Sequence, residues 1–249
     1  MRELLDHPLE LFFAGLALFL LAAWAGAWIQ RRSDEPTSEA FELVQGATLT
    51  LLGLLLGFTF AMAVSRFDLR MELAVDEANA IETAWLRAGL LPDQMNTQSR
   101  ALLLTYANAR LELRKAGPDE GFRAAAEQHA QQTQMKIWTL GEQAAAERRD
   151  SISALYLTSL NQAFDLRTKR AEAYDNRIPA AAWTLLLFIG VASNLLVGFS
   201  IGRRWWLLWV LPLVVAGTLM LVGDLDSPVS GSIRVDPQAM ERLPAEMQQ

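Results

Sequence analysis

The chain has no cysteine and only two histidines, His7 and His129, in 249 residues. Disulfides, cysteine-ligated zinc, iron–sulfur clusters and thiol nucleophiles are thereby excluded, and a histidine-built metal site is not expected. Charge is missing in a more localised way. Leu11–Gln30, Leu43–Ser65, Ile178–Gly202 and Trp205–Gly223 are runs of 20, 23, 25 and 19 residues without a single Asp, Glu, Lys or Arg. At about 1.5 Å of rise per helical residue, each is long enough to cross a hydrocarbon layer of about 30 Å. Lysine is scarce too, at 3 against 19 arginines, a bias that points to a high-GC genome and so to a bacterium. Phosphate-binding glycine loops and His-Glu-x-x-His are missing. With so little to serve as a general base, no enzymatic activity, cofactor or nucleic-acid partner is expected.

What is present divides the chain into an N-terminal transmembrane hairpin (1–65), a helical soluble insert (66–177), a C-terminal transmembrane hairpin (178–223) and a tail (224–249). The expected fold is an all-α integral membrane protein, with four transmembrane helices in two hairpins flanking the insert. The leader of the first run carries Glu3, Asp6 and Glu10 against Arg2, which argues for a retained helix rather than a cleaved signal. In the insert, 15 bases nearly balance 16 acids. Phe67, Met71, Ala74, Ala78, Ile81, Trp85 and Ala88 recur there at the spacing of one helix face. Nothing breaks a helix between Leu43 and Leu91, so the second span is expected to run straight on to Pro92. Further helices are expected over Thr97–Ala116, with Leu103, Tyr106, Arg110 and Leu113 along one side, and over Glu120–Arg148. A last one starts from an N-cap at Ser151, with Ile152, Leu155, Ser159, Gln162 and Leu166 as its stripe. Gly231–Val235 is the one strand-like piece. Arginines and lysines near the membrane number eight on the insert side against four in the short loops, which places Met1, the insert and Gln249 in the cytoplasm.

The second run carries the most information. Gly46, Gly53 and Gly57 share one helical face, and Gly53-x-x-x-Gly57 lets two backbones approach closely, in the same chain or in a sister chain. The sharper reading is a pore. In an oligomer, Gln45, Thr48 and Thr59 would wet a channel while Leu52, Leu55, Phe58 and Met62 form a dry constriction. Beyond the membrane Asp68, Glu72, Asp76, Glu77 and Glu82 outnumber Arg66, Arg70 and Arg87, and a vestibule lined by them concentrates cations. Asn194, in the middle of the third run, is expected to bond another helix or to face water. Arg203, Arg204, Trp205, Trp206 and Trp209 read as an interfacial anchor, and Pro212 as a kink in the fourth helix. Asp224 and Asp226 either attract cations or cap a turn.

The run from Gly53 to Arg70, continued from Val75 to Pro92, resembles the signature of the bestrophin-like bacterial membrane proteins. Asp224-Leu225-Asp226-Ser227-Pro228, followed by Gly231 and an apolar piece to Val235, resembles that family's ending. Glu82 departs from the pattern, standing where the family commonly has a small residue. The resemblance implies kinship to bestrophins, which are oligomeric anion channels with four spans, cytoplasmic ends and a pore lined by the second span. It thus implies a homo-oligomeric ion channel of the bacterial inner membrane, a pentamer by analogy, whose partners are the lipid bilayer, sister copies and inorganic ions. The bestrophins' own pore motif is not matched, so anion selectivity is not implied, and the local acids favour cations. A non-conducting scaffold or sensor whose insert binds a cytoplasmic partner accounts for the same layout. A small transporter fits less well, because no charge lies inside the membrane to couple an ion.

Overall fold

The computed structural model describes residues 7–33, 38–115, 119–201, 205–228, 233 and 238–248. All regular structure among them is helical. The order is α1 (Pro8–Ser33), α2 (Glu39–Ala88), α3 (Asp93–Lys115), α4 (Glu120–Glu147), α5 (Ser151–Asp175), α6 (Ala180–Ile201), a 3-10 helix over Trp205–Trp209, α7 (Val210–Asp226) and α8 (Gln238–Glu246). Four stretches, Pro8–Ser33, Glu39–Ala88, Ser151–Ile201 and Trp206–Asp226, hold helices long and apolar enough to cross a membrane. Of the strand-like piece only Ile233 is described, and it lies in a bend; the rest falls outside the described residues, as do Arg203 and Arg204.

The helix ends follow the punctuation of the sequence. α2 stops at Ala88, where Gly89, Leu90 and Leu91 fold back onto the carbonyls of Leu86, Arg87 and Ala88 at 3.0–3.1 Å before Pro92. Asp119 caps α4 by accepting from Phe122 N at 3.0 Å. The cap of α5 is Asp150 rather than Ser151: its carboxylate accepts from Ser153 N at 2.9 Å, and a negative group suits the positive end of the helix. Pro212 falls in the first turn of α7, where a nitrogen needs no intrahelical partner, so it begins that helix instead of kinking it.

The chain forms two compact units. The first comprises residues 1–67 and 177–234. In it α1 packs along α6 and α7. The α1–α6 contact is made by backbone against backbone: a Cβ at Gly198 would come within 2.7 Å of the Ala23 carbonyl carbon, and one at Gly26 within 2.8 Å of Phe199 N. Close approach through small residues is how membrane helices associate when water supplies no hydrophobic drive between them. Phe19 lies against Gly190, and with Trp183, Leu186, Ile189, Val215 and Leu219 it fills the core. Leu21, Trp24, Phe188 and Leu213 point outward, an apolar exterior of the kind lipid requires.

The second unit comprises residues 68–176 and 235–249. Ala78, Ile81 and Ala84 of α2 pack there with Leu103 and Tyr106 of α3, Ile137 of α4, and Tyr156 and Leu160 of α5. The stripe on α5 is turned from the expected one. Ser159 is buried and Ile152 and Leu166 pack against the core as expected, but Leu155 and Gln162 are exposed, and Ser153, Tyr156, Leu160 and Ala163 are buried, because Tyr156 and Leu160 bring the larger apolar groups into the core. Nor is the C-terminal segment a free tail: α8 buries Met240 and Leu243 in this same core.

Candidate functional site

Burial along the apolar part of α2 follows the helical period. Leu52 and Ala63 are buried in the core of the first unit, Leu55, Leu56 and Val64 pack against it, and Phe41 meets Phe199 of α6 with ring centroids 4.8 Å apart. The opposite side meets nothing among the described residues. Cβ atoms at Gly46, Gly53 and Gly57 would have no neighbour within 4 Å. Thr50, Leu54, Phe58 and Ala61 are exposed beside them.

The expected pore-lining residues divide between the two sides. Phe58 and Met62 are exposed. Gln45, Thr48 and Leu55 are half-buried on the inward side, with the Thr48 hydroxyl donating to the Val44 carbonyl at 2.7 Å. Leu52 and Thr59 are corrections: they are 2% and 5% exposed, and the Thr59 hydroxyl donates to the carbonyls of Leu55 and Leu56. Both faces of α2 are apolar, so hydropathy alone does not orient it; the bulkier leucine side fills the core and leaves the glycine side bare. Asn194 is a correction of another kind. It is fully buried, but its Nδ2 donates to the Gly190 carbonyl of its own helix at 2.7 Å, the back-bond that short polar side chains make one turn away, and not to another helix.

Among the acids, Asp68, Glu72 and Asp76 are exposed at successive turns of α2, and Glu82 is half-buried. Like charges four residues apart cost an isolated helix about 0.2–0.5 kcal/mol per pair. Glu77 does not belong with them, which corrects its assignment to a vestibule. It is fully buried and accepts from Arg110 Nε at 2.6 Å, Arg110 Nη2 at 3.3 Å and Arg170 Nη1 at 2.6 Å. Burial alone would raise its pKa, but the attraction of Arg110 and then Arg170 prevails and holds it below the usual 4.5. Arg110 feels the converse: burial acts to lower its pKa, and the Glu77 carboxylate outweighs that and raises it. The network continues outward. Arg110 Nη1 donates to Glu127 at 3.2 Å, and Arg167 donates to Glu127 and, at 2.6 Å, to Gln134. Four helices are thereby joined through charge. Sequence reasoning missed this network, although an arginine on the same stripe as Leu103 and Tyr106 is the sign of a buried ion pair.

Asp226, at the end of α7, caps a turn. Its two carboxylate oxygens accept from Ile178 N at 3.1 and 3.2 Å, just before α6, and Arg66 Nη1 of α2 lies 3.6 Å away. The neighbouring Asp224 accepts from Ile233 N at 3.3 Å. Asp226→Ala should lower stability by about 1–3 kcal/mol, since it leaves a buried amide without its acceptor. Asp226→Asn, which keeps an oxygen for Ile178 N, should retain most of it; thermal unfolding of the detergent-solubilised protein measures both.

Residues 11–240 match the family described as the bestrophin-like domain. The fold is shared with crystal structures of single-residue variants of a bacterial bestrophin homologue from Klebsiella pneumoniae. One superposes with a TM-score of 0.71 at 16% identity, covering 97% of this chain and 98% of that chain. Another gives 0.68 at 13% identity, covering 96% and 97%. No curated protein matches the sequence.

Proposed function

We propose that this chain, which belongs to the bestrophin-like family, is a homo-oligomeric ion channel whose second helix lines the pore. The observation that carries this reading is the bare glycine side of α2, on a helix apolar enough to span the membrane, with no described residue within 4 Å of a Cβ placed at Gly46, Gly53 or Gly57. Sister copies packed on that side give the glycines the close backbone contacts they allow. Thr50, Leu54 and Ala61 then face the axis, with Phe58 and Met62 beside them as the dry neck; these replace the inward-facing Leu52 and Leu55. Five copies follow from the resemblance to bestrophins. The two transmembrane hairpins flank a cytoplasmic insert in the bacterial inner membrane. Asp68, Glu72 and Asp76, with Glu82 behind them, give the vestibule a negative potential, so the channel favours cations.

The test uses purified full-length protein in planar bilayers. Wild type should give stepwise currents whose reversal potential moves toward the cation equilibrium under a salt gradient. Phe58→Ala should raise the unitary conductance, and Gly57→Leu should break the oligomer while leaving the helix content of the protomer unchanged. Silent but well-inserted oligomers would overturn the channel reading in favour of a scaffold whose insert binds a partner, and a shift toward the chloride potential would overturn cation preference.

A further inference from the structure

In the second unit, α2 and α5 flank an open polar groove of about 480 Å³ that the network around Glu77 does not use. The two helices run antiparallel, since Glu77 meets Arg170 and Arg87 donates to the Leu155 carbonyl at 3.0 Å. Asp76 and Asp165 therefore lie toward one end of the groove, together with Lys169, and Thr83 and Thr158 toward the other. None of the three charged side chains at the first end forms an ion pair within 4.0 Å. The nearby arginines are already engaged, Arg170 by Glu77 and Arg87 by a backbone carbonyl. At the other end both threonine hydroxyls give their protons to carbonyls of their own helices, at 2.8 Å each, which leaves only lone pairs toward the groove. Asn161 and Gln162, between the two ends, add amide groups that accept as well as donate.

The lining is thus rich in acceptors, with one net negative charge at one end and neutral groups at the other. An inorganic divalent ion is poorly served, because among the described residues no three His, Cys, Asp or Glu side chains converge to hold a metal. A ligand with one ammonium group and several hydroxyls has the donors in the required places. We propose that this groove binds a small organic amine bearing hydroxyl groups, of the amino-sugar type. The ammonium sits between Asp76 and Asp165, and the hydroxyls donate toward Thr83, Thr158 and Gln162. The groove shares Asp76 with the proposed vestibule, but binding requires no conduction, and calorimetry reads it whether or not the protein conducts.

Titration calorimetry of the detergent-solubilised full chain with glucosamine tests it, with glucose as the uncharged comparison. Wild type should bind glucosamine saturably and glucose at least about tenfold more weakly, the factor expected for one charge-assisted hydrogen bond. Asp76→Asn and Asp165→Asn change exposed side chains and should not disturb folding, which circular dichroism checks; each should weaken glucosamine by about tenfold. Lys169→Gln should tighten it, because a like charge leaves the ammonium end. Absence of saturable glucosamine binding, equal binding of glucose, or an affinity indifferent to Asp165→Asn would each overturn the proposal.

Discussion

Gly198→Ala should disrupt the first unit, although alanine is the better helix former. At a free helical position that exchange gains roughly 0.5–1 kcal/mol. At Gly198 the added methyl overlaps the backbone of Ala23, with the Ala23 Cα 2.8 Å away, and a backbone cannot rotate aside as a side chain can. The helices must separate, and every neighbouring contact between α1 and α6 loosens with them. The expected loss is on the order of 3 kcal/mol, or roughly 6–12 °C in thermal midpoint for a chain of this size. Gly26→Ala meets the Leu195 carbonyl and should behave alike, whereas Gly217→Ala meets nothing within 4 Å and should be neutral or slightly stabilising. The double variant at Gly26 and Gly198 should cost less than the sum, since helices already apart do not clash twice. Equal midpoints for Gly198→Ala and Gly217→Ala would show that α1 and α6 do not touch there.

Glu77→Gln is the second large effect, and it should act through charge with almost no change of shape. It removes the anion between two buried guanidinium groups and turns one acceptor into a donor facing N–H groups. Breaking a buried pair from one side costs about 3–5 kcal/mol, because the partner's charge stays buried. Replacing Glu77, Arg110 and Arg170 together by apolar residues of similar size should be milder than the single change, for then no charge is stranded. Acidity gives an independent reading. The folded-state pKa of Glu77 lies below 4.5, so its contribution is fully present above that pH and is lost as pH falls through the folded value. Wild type should lose stability on acidification below about 4.5, and Glu77→Gln should lose less over the same interval. Unfolding followed by tryptophan fluorescence as a function of pH measures this, and parallel curves would show that Glu77 carries no such linkage.

Much of the fold was legible because its causes are local. Charge-free runs show where helices enter lipid, Pro92 lies just beyond the end of α2, and Pro179 stands immediately before α6. The stripe from Ala74 to Ala88 is buried largely where its period places it. What local pattern could not supply was the partner of each face. Glu77 reads as one more acid on a helix until Arg110 and Arg170, 33 and 93 residues away, are folded onto it. The glycine motif on α2 drew attention to itself, while the tight intrachain crossing is made by Gly26 and Gly198, whose small neighbours Ala22, Ala23 and Ala27 were the available sign. Two apolar faces on one helix are likewise indistinguishable by hydropathy, so the pattern that assigns Leu52 and Thr59 to a pore does not foretell their burial. The α2–α5 groove is built from residues about 80 positions apart, and such a separation leaves no trace in any window of sequence.

The seating of α8 bears on how the protein is made. The core holding Tyr106 and Tyr156 also holds Met240 and Leu243, and α8 follows α7 in the chain. Ribosomal synthesis delivers α2 through α5 first, then α6 and α7, and only afterwards the helix that closes this core. The nascent second unit therefore waits, with an apolar flank uncovered, until both later helices have been made. Its completion comes last in synthesis, and a chain interrupted before α8 leaves behind the kind of uncovered apolar surface that chaperones and proteases detect.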